Sequence, residues 1–398
     1  MNAVLHGAFF PGTLNSGEAD LSALARVQQG AAGNNSGSQG EAGIPPSWGP
    51  QSFRRKMGSL GKVDGTMHFG HITIDMSENV SRREILSRLG ATGATLAVVG
   101  LIGRAAHDRG GYDVSHARGE RQIRDFGVAS RVSEPKFAIA KSSQEAELLV
   151  RRAVNALGGM KRFISRGDIV AIKPNIGWDR LPVHAANTNP LVVAELVRLV
   201  LDAGAKHVIV TDASCNEPNR CFQRSGIWRA AHAAGASVIL PAAHRFRDLR
   251  MRGDVLDIWP IYTPLVEADK VINVPVAKHH NLSKFTGGMK NWYGLLGGRR
   301  NRLHQNINVS IADLATFMRP TLTVLDATRV LLRNGPQGGN IDDAKDMYQV
   351  IASLDPVAAD AYGATLIGAA PSSIEYLRMG TERGLGNADW EHVAHVEV

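Results

Sequence analysis

The sequence predicts an α/β protein with a largely parallel sheet and helices on both faces, built as one domain that leaves room for two lobes. Three observations carry this. Short β-branched runs alternate with helix-like segments from about residue 130 onward, the pattern of strand–helix–strand units in a covered sheet. Glycine is frequent, at 42 residues, while aromatics make up only 6%, which suits many tight turns between strands and helices. No linker or internal repeat interrupts residues 130–398.

Taken in order, residues 137–140 (FAIA) read as the first strand. Residues 142–159 follow as a helix, with a cap at Ser142 or Ser143 and a stop at Gly158 and Gly159. Residues 168–175 form the next strand, 189–205 a periodic apolar helix and 207–214 a strand. A second such pair is the helix 226–236 and the strand 237–241. Residues 267–280 continue the series as an apolar strand ending in two histidines. A helix at 310–320 then leads to a strand at 321–328, and 350–368 reads as a strand turning into a small-residue helix. In that last piece Asp355 is expected to cap the helix and Asp360 to reach inward.

The first hundred residues differ. Residues 1–75 contain a Gly/Ser/Asn/Pro-rich run at 30–51 that buries too little side chain to offset chain entropy. They read as a disordered extension or an over-extended start. Residues 76–106 then carry Arg82 and Arg83, an apolar run from Leu89 to Ile102 and small residues after it. That order is the pattern of an export signal, and the paired arginines make it similar to a twin-arginine signal. A buried amphipathic helix starting at Ser81 is the competing reading. The signal reading predicts a working start at Met76, passage through the twin-arginine export machinery and a periplasmic or cell-envelope location.

Composition narrows the chemistry. A hydrophobic share of 44% supports a sizeable core. The chain has two cysteines, Cys215 and Cys221, too few for a four-cysteine zinc site or an iron–sulfur cluster ligated by this chain alone. Lys270 to Arg333 contains ten Lys or Arg against two acids, a surplus of eight that equals the net charge of +8 for the whole chain. The basic character therefore sits in one segment, which points to an anion or to a metal with an anionic partner. A solvated basic loop is the bland alternative. Interleaved Phe285, Trp292, Tyr293, Leu295 and Leu296 count against it.

Open parallel sheets bind ligands outside the carboxyl ends of their strands. Those ends carry Lys173 and Asn175, then Asp212, then Lys278, His279 and His280, then Asp326. The basic segment adds Lys290, Asn291, Arg302 and His304, and the loop 333–340 adds Gly335, whose backbone suits close approach to an anion. Lys173 and Asn175 are expected to orient a small anionic molecule or cofactor that Lys278, Lys290 and Arg302 neutralise. Asp212, Asn291 and Gly335 complete the expected ligand set. His304 or His279 would move protons near neutral pH, with Asp326 as orienting partner. The neighbouring cations argue against a bare divalent ion held by His279, His280 and His304 alone, so the presence of a metal stays open. No nucleophile elbow, Walker loop or dinucleotide fingerprint is present. No nucleic-acid-binding motif accompanies the basic run, so nucleic acid is not an expected partner.

The blocks VAIKPN (170–175), 188–212, DKVINVPVAKHH (269–280), GGMKNWYGLLGG (287–298), His304, 313–339 and 352–368 together resemble the domain-of-unknown-function family 362 over roughly residues 130–395. The resemblance implies an α/β domain over 130–398 and, in some relatives, export by a twin-arginine signal. Ferredoxin-type cysteine clusters of other relatives are missing here, so no iron–sulfur role carries over. The resulting expectation is an exported enzyme, or enzyme-like accessory factor, acting on a small anionic ligand or cofactor. A non-catalytic extracytoplasmic binding protein for an anion or metal complex is the alternative.

Overall fold

The structure is a computed structural model that describes residues 66–69, 72–75, 81, 83, 123–129 and 134–398. The chain divides into two units after Ile85. In the first, β1 (Thr66–Phe69) pairs antiparallel with β2 (Ile72–Asp75). Of the expected export signal only Ser81 and Arg83 are described; Arg82 and the apolar run lie outside the described residues.

The second unit runs β3 (Phe137–Ala140), α1 (Ala146–Ala156), β4 (Ile169–Pro174), α2 (Pro190–Asp202), β5 (His207–Val210), α3 (Pro218–Arg224), α4 (Ile227–Ala233) and β6 (Ser237–Val238). A hairpin of β7 (Phe246–Arg250) and β8 (Ile258–Tyr262) follows, then α5 (Thr263–Val266), β9 (Lys270–Val274), β10 (Val276–His280), β11 (Lys284–Thr286) and α6 (Gly288–Asn291). The chain closes with α7 (Ile307–Phe317), β12 (Leu322–Leu331), β13 (Ala344–Ser353), α8 (Pro356–Leu366), α9 (Glu375–Glu382) and β14 (His395–Glu397).

The main sheet has the order β14-β3-β13-β12-β9-β4-β5-β6. Its β12, β9, β4, β5 and β6 are parallel, and β13 runs antiparallel to both neighbours. Alternate residues of each strand feed opposite faces, as the pleat requires. Ala138, Val170, Ile172, Ile272 and Val274 pack with α1, α2 and α4 through Leu149, Val193, Leu196 and Ile227. Ile139, Ala171 and Val271 pack on the other side with Leu314, Ala361 and Leu377 of α7, α8 and α9. Two-sided burial is why these strands read as continuous apolar runs.

Several boundaries differ from the sequence reading for identifiable reasons. α1 starts at Ala146 because Ser142 adopts a left-handed φ of 64° and Ser143 Oγ accepts from Glu145 N in a turn. Its end follows expectation: Gly158 and Gly159 both have positive φ, and their amides return to Asn155 and Val154. The apolar stretch 267–280 is two strands. Pro275 has no N–H to continue the ladder, and its carbonyl accepts from Asp326 N at 2.8 Å. β9 therefore pairs the start of β12, and β10 pairs its later part. The β7–β8 hairpin has no signal in the sequence, since FRDLR shows no alternation and β8 contains Pro260. Asp355 caps α8 by accepting from Ala358 N at 2.8 Å, and fully buried Asp360 accepts from the amides of Gly288 and Met289.

Candidate anion site at the strand ends

Strand geometry decides which expected residues meet. β4 ends by burying Lys173, and the chain after β5 turns Asp212 toward it, giving a fully buried pair at 2.8 Å. Gly294 comes so close that a Cβ there would lie 1.8 Å from Asp212 Oδ1 and 2.7 Å from Lys173 Nζ. Only glycine fits. Asp212 Oδ2 also accepts from Ile176 N at 2.7 Å, which anchors the loop leaving β4.

A chain of amides lies beside the pair. Asn273 donates to Gly288 O at 2.8 Å, and Asn291 donates to Asn273 Oδ1 at 2.8 Å. Asn175 donates to Asn291 Oδ1 at 3.0 Å, and Lys278 Nζ donates to Asn175 Oδ1 at 3.0 Å and to Ala186 O at 2.6 Å. Each link fixes the orientation of the next, so Asn175 must offer its oxygen to Lys278. Asp360 holds α6 from below and so sets Lys290 and Asn291 in place.

These residues border a cavity of about 380 Å³, lined by Asn175, Asp212, Lys278, Lys290, Asn291 and His304 together with His280, Cys215, Tyr293 and Arg300. Lys278 is 1% exposed and Lys290 8%. Neither has a carboxylate partner among the described residues. Burial, reinforced by Lys290, pushes Lys278 down to about 7. Burial also lowers Lys290, to about 8, despite the opposing influence of Cys215. Lys290 Nζ sits 4.6 Å from the centre of the Tyr293 ring, a contact that favours its cationic form. Lys173 is lowered by burial against the pull of Asp212.

The two histidines of the cavity differ in role. His280 Nδ1 accepts from the amides of Leu282 and Ser283, at 3.1 and 3.2 Å, which places its proton on Nε2. Burial and the nearby lysines push it down to about 2, so it stays neutral. His304 Nδ1 faces Asn301 O at 2.9 Å and must donate there, leaving Nε2 with the lone pair. Burial lowers His304 as well, against that bond. The two ring centroids lie 6.2 Å apart at 15°, and the rings supply one donor nitrogen and one acceptor.

Lys173, bound to Asp212, does not reach the cavity lining, and four further expected site residues lie elsewhere. The pleat of β10 sends Lys278 and His280 to the cavity and His279 to the opposite side, where its Nδ1 accepts from Gly335 N at 3.3 Å. Asp326 does not orient His304; its carboxylate accepts from Asn189 N at 2.7 Å and from Thr328, pinning the start of α2. Arg302 is exposed and lies 5.5 Å over the Trp259 ring. Gly335 packs on backbone, where a Cβ would lie 1.9 Å from His279 O, so its glycine serves chain packing and not anion approach. The sequence reading left out Arg300, Cys215, Asn273 and Tyr293. Arg300 was visible as part of the basic run, whereas nothing local distinguishes the other three. Among the described residues no group of three or more His, Cys, Asp or Glu could hold a metal ion.

Residues 170–365 match a family described as Domain of unknown function (DUF362). A thylakoid-associated protein from Synechocystis sp. is 25% identical over 251 residues, covering 59% of this chain and 74% of that protein. Among solved structures, a protein from Thermotoga maritima is similar at 13% identity and TM-score 0.34, over 57% of this chain and 59% of that one. The lactate racemase apoprotein from Thermoanaerobacterium thermosaccharolyticum is similar at 14% identity and TM-score 0.36, over 62% of this chain and 60% of that one. The chain thus spans about three fifths of each of these two structures.

Proposed function

We propose, with the family match of residues 170–365 as the premise, that the chain is an enzyme acting on a small anionic molecule held at the carboxyl ends of its strands. The observation that carries this is the pair of buried lysines, Lys278 and Lys290, which line one cavity and have no ion pair among the described residues, the lining's Asp212 being paired with Lys173. Burying an unpaired ammonium costs free energy, which a bound anion recovers. Arg300 adds a third positive group to the lining. The acceptor nitrogen of His304, a base in the cavity lining, favours proton transfer over simple capture.

The test is thermal. Phosphate, citrate and small carboxylates should raise Tm with concentration, by about 2.7 kcal/mol of stabilisation at a hundredfold excess over Kd. Lys290→Ala should remove most of that response while the protein stays folded. Equal responses in the two proteins would sink the site, because a solvated basic face gives only the weak stabilisation of bulk salt.

Export through the twin-arginine machinery is the second part of the proposal, motivated by Arg82 and Arg83 ahead of the apolar run Leu89–Ile102. Among the described residues no helix is long and apolar enough to cross a membrane. Changing Arg82 and Arg83 together to lysine should leave the protein in the cytoplasm of its native host. Normal appearance of that double variant in the periplasmic fraction would refute export by this route.

A further inference from the structure

We propose that Lys278 is a covalent catalyst whose amine forms an imine with the carbonyl carbon of a small oxo acid, a carboxylate with a ketone beside it. The inference rests on the anion-site reading and gives that site its substrate class.

Two buried lysines on different strands provide the contrast. Lys173 and Lys278 are 0% and 1% exposed. Lys173 has Asp212 at 2.8 Å and is held as a structural cation. Lys278 has only neutral oxygens, Asn175 Oδ1 and Ala186 O, and it faces the cavity. Those two acceptors take two N–H groups. In the neutral amine the fourth tetrahedral position holds the lone pair, and the cavity is where a reacting carbon can meet it. A lysine desolvated next to another cation is the arrangement that activates an amine for attack on carbonyls. Lys290 is that cation, kept positive over Tyr293. A lysine pushed down to about 7 has a roughly thousandfold larger neutral fraction at pH 7 than an exposed one.

The lining supplies the rest of the substrate's contacts. Lys290 and Arg300 are the cations for a carboxylate. The buried Thr286 hydroxyl, which lines the cavity with no hydrogen-bond partner among the described residues, is a further donor. A volume of about 380 Å³ suits a small molecule. In the reaction, the Nζ lone pair forms the C–N bond as the carbonyl π pair moves to oxygen. Both amine protons then end on that oxygen, which leaves as water as the C=N bond forms. His304 Nε2 takes each proton in turn and passes it to that oxygen, to which the neutral His280 N–H donates a hydrogen bond. The imine draws electrons from the bonds next to the former carbonyl, which labilises an adjacent C–H or C–C bond.

The full chain is incubated at neutral pH with pyruvate, 2-oxobutyrate or acetoacetate, treated with borohydride and mapped by peptide mass spectrometry. The expected result is a reduced adduct on Lys278 at least tenfold above that on any exposed lysine and several-fold above that on Lys290, in line with their neutral fractions. Lys278→Met should lose that adduct, and Lys290→Met should keep it but need a higher oxo-acid concentration. The wild-type peptide map decides the matter even if Lys278→Met fails to fold. A thermal response to these oxo acids without an adduct at Lys278, or with the adduct on another lysine, overturns the imine and leaves the anion site intact. Absence of any thermal response to anions overturns both.

Discussion

Asp212→Ala should destabilise the protein by about 3–5 kcal/mol in urea denaturation, the largest effect expected of any single change in the cavity wall. The carboxylate is the counter-ion of fully buried Lys173 at 2.8 Å and also accepts from Ile176 N. Removing it strands an ammonium whose one remaining acceptor among the described residues is the backbone carbonyl of Pro174, at 3.2 Å. Lys173 would then lose its proton or draw in water, and the turn after β4 would lose its anchor. Adding Lys173→Met to Asp212→Ala should recover much of the loss, because replacing both members of a buried pair is far cheaper than replacing one. If the double variant is no more stable than Asp212→Ala, the pair is not what the loss measures.

The second large effect concerns pH. Stability should climb from about pH 7 to about pH 8.5, at about 1–2 kcal/mol per pH unit. The sign follows from Lys278 and Lys290, pushed down to about 7 and about 8 in the folded protein. In the unfolded chain they titrate near 10.4. Through this window the unfolded state therefore binds more protons, and raising the pH favours the fold. Asp360, pushed up to about 7 by burial, acts in the opposite sense, but only as pH rises from about 4 to about 7. Cys221, pushed up to about 11 by burial, opposes the climb above its ordinary value of about 8.5, as Tyr262, Tyr293 and Tyr376 do at higher pH. Thermal melts at a series of pH values check this. Changing Lys278 and Lys290 together to methionine should flatten the slope, and an unchanged slope would mean that the two lysines are charged and solvated in the fold.

The parallel core of the sheet was legible because strands buried on both faces announce themselves as apolar runs, as in Val170–Ile172 and Val271–Val274. The hairpin Phe246–Tyr262 and the antiparallel course of β13 were not, since the direction in which a strand pairs depends on partners distant in the chain. In the site, Asn175, Asp212, Lys278, Lys290, Asn291 and His304 come together, with Lys173 bound to Asp212 behind the wall, because strand ends converge on one edge, a rule of topology that sequence order already carries. His279 failed by one residue of pleat. Asp326 failed because β12 runs on to Leu331, so its carboxylate lies in mid-strand and accepts from the amides of Asn189 and Thr328. Cys215 and Asn273 enter by tertiary approach alone.

Arg300 has a consequence for how fast a ligand arrives. Its guanidinium donates to the carbonyls of Ala213, Ser214, Tyr293 and Leu296, and no carboxylate among the described residues answers it. Carbonyl oxygens hold the group rigid without cancelling its charge. The wall therefore keeps a permanent positive potential at a fixed point, undiminished by side-chain rearrangement. Such a field acts before contact: it raises the local concentration of anions and turns diffusive encounters toward the opening. Capture should then be fast in dilute buffer and slow as salt rises, while escape, governed by contacts inside the cavity, changes little.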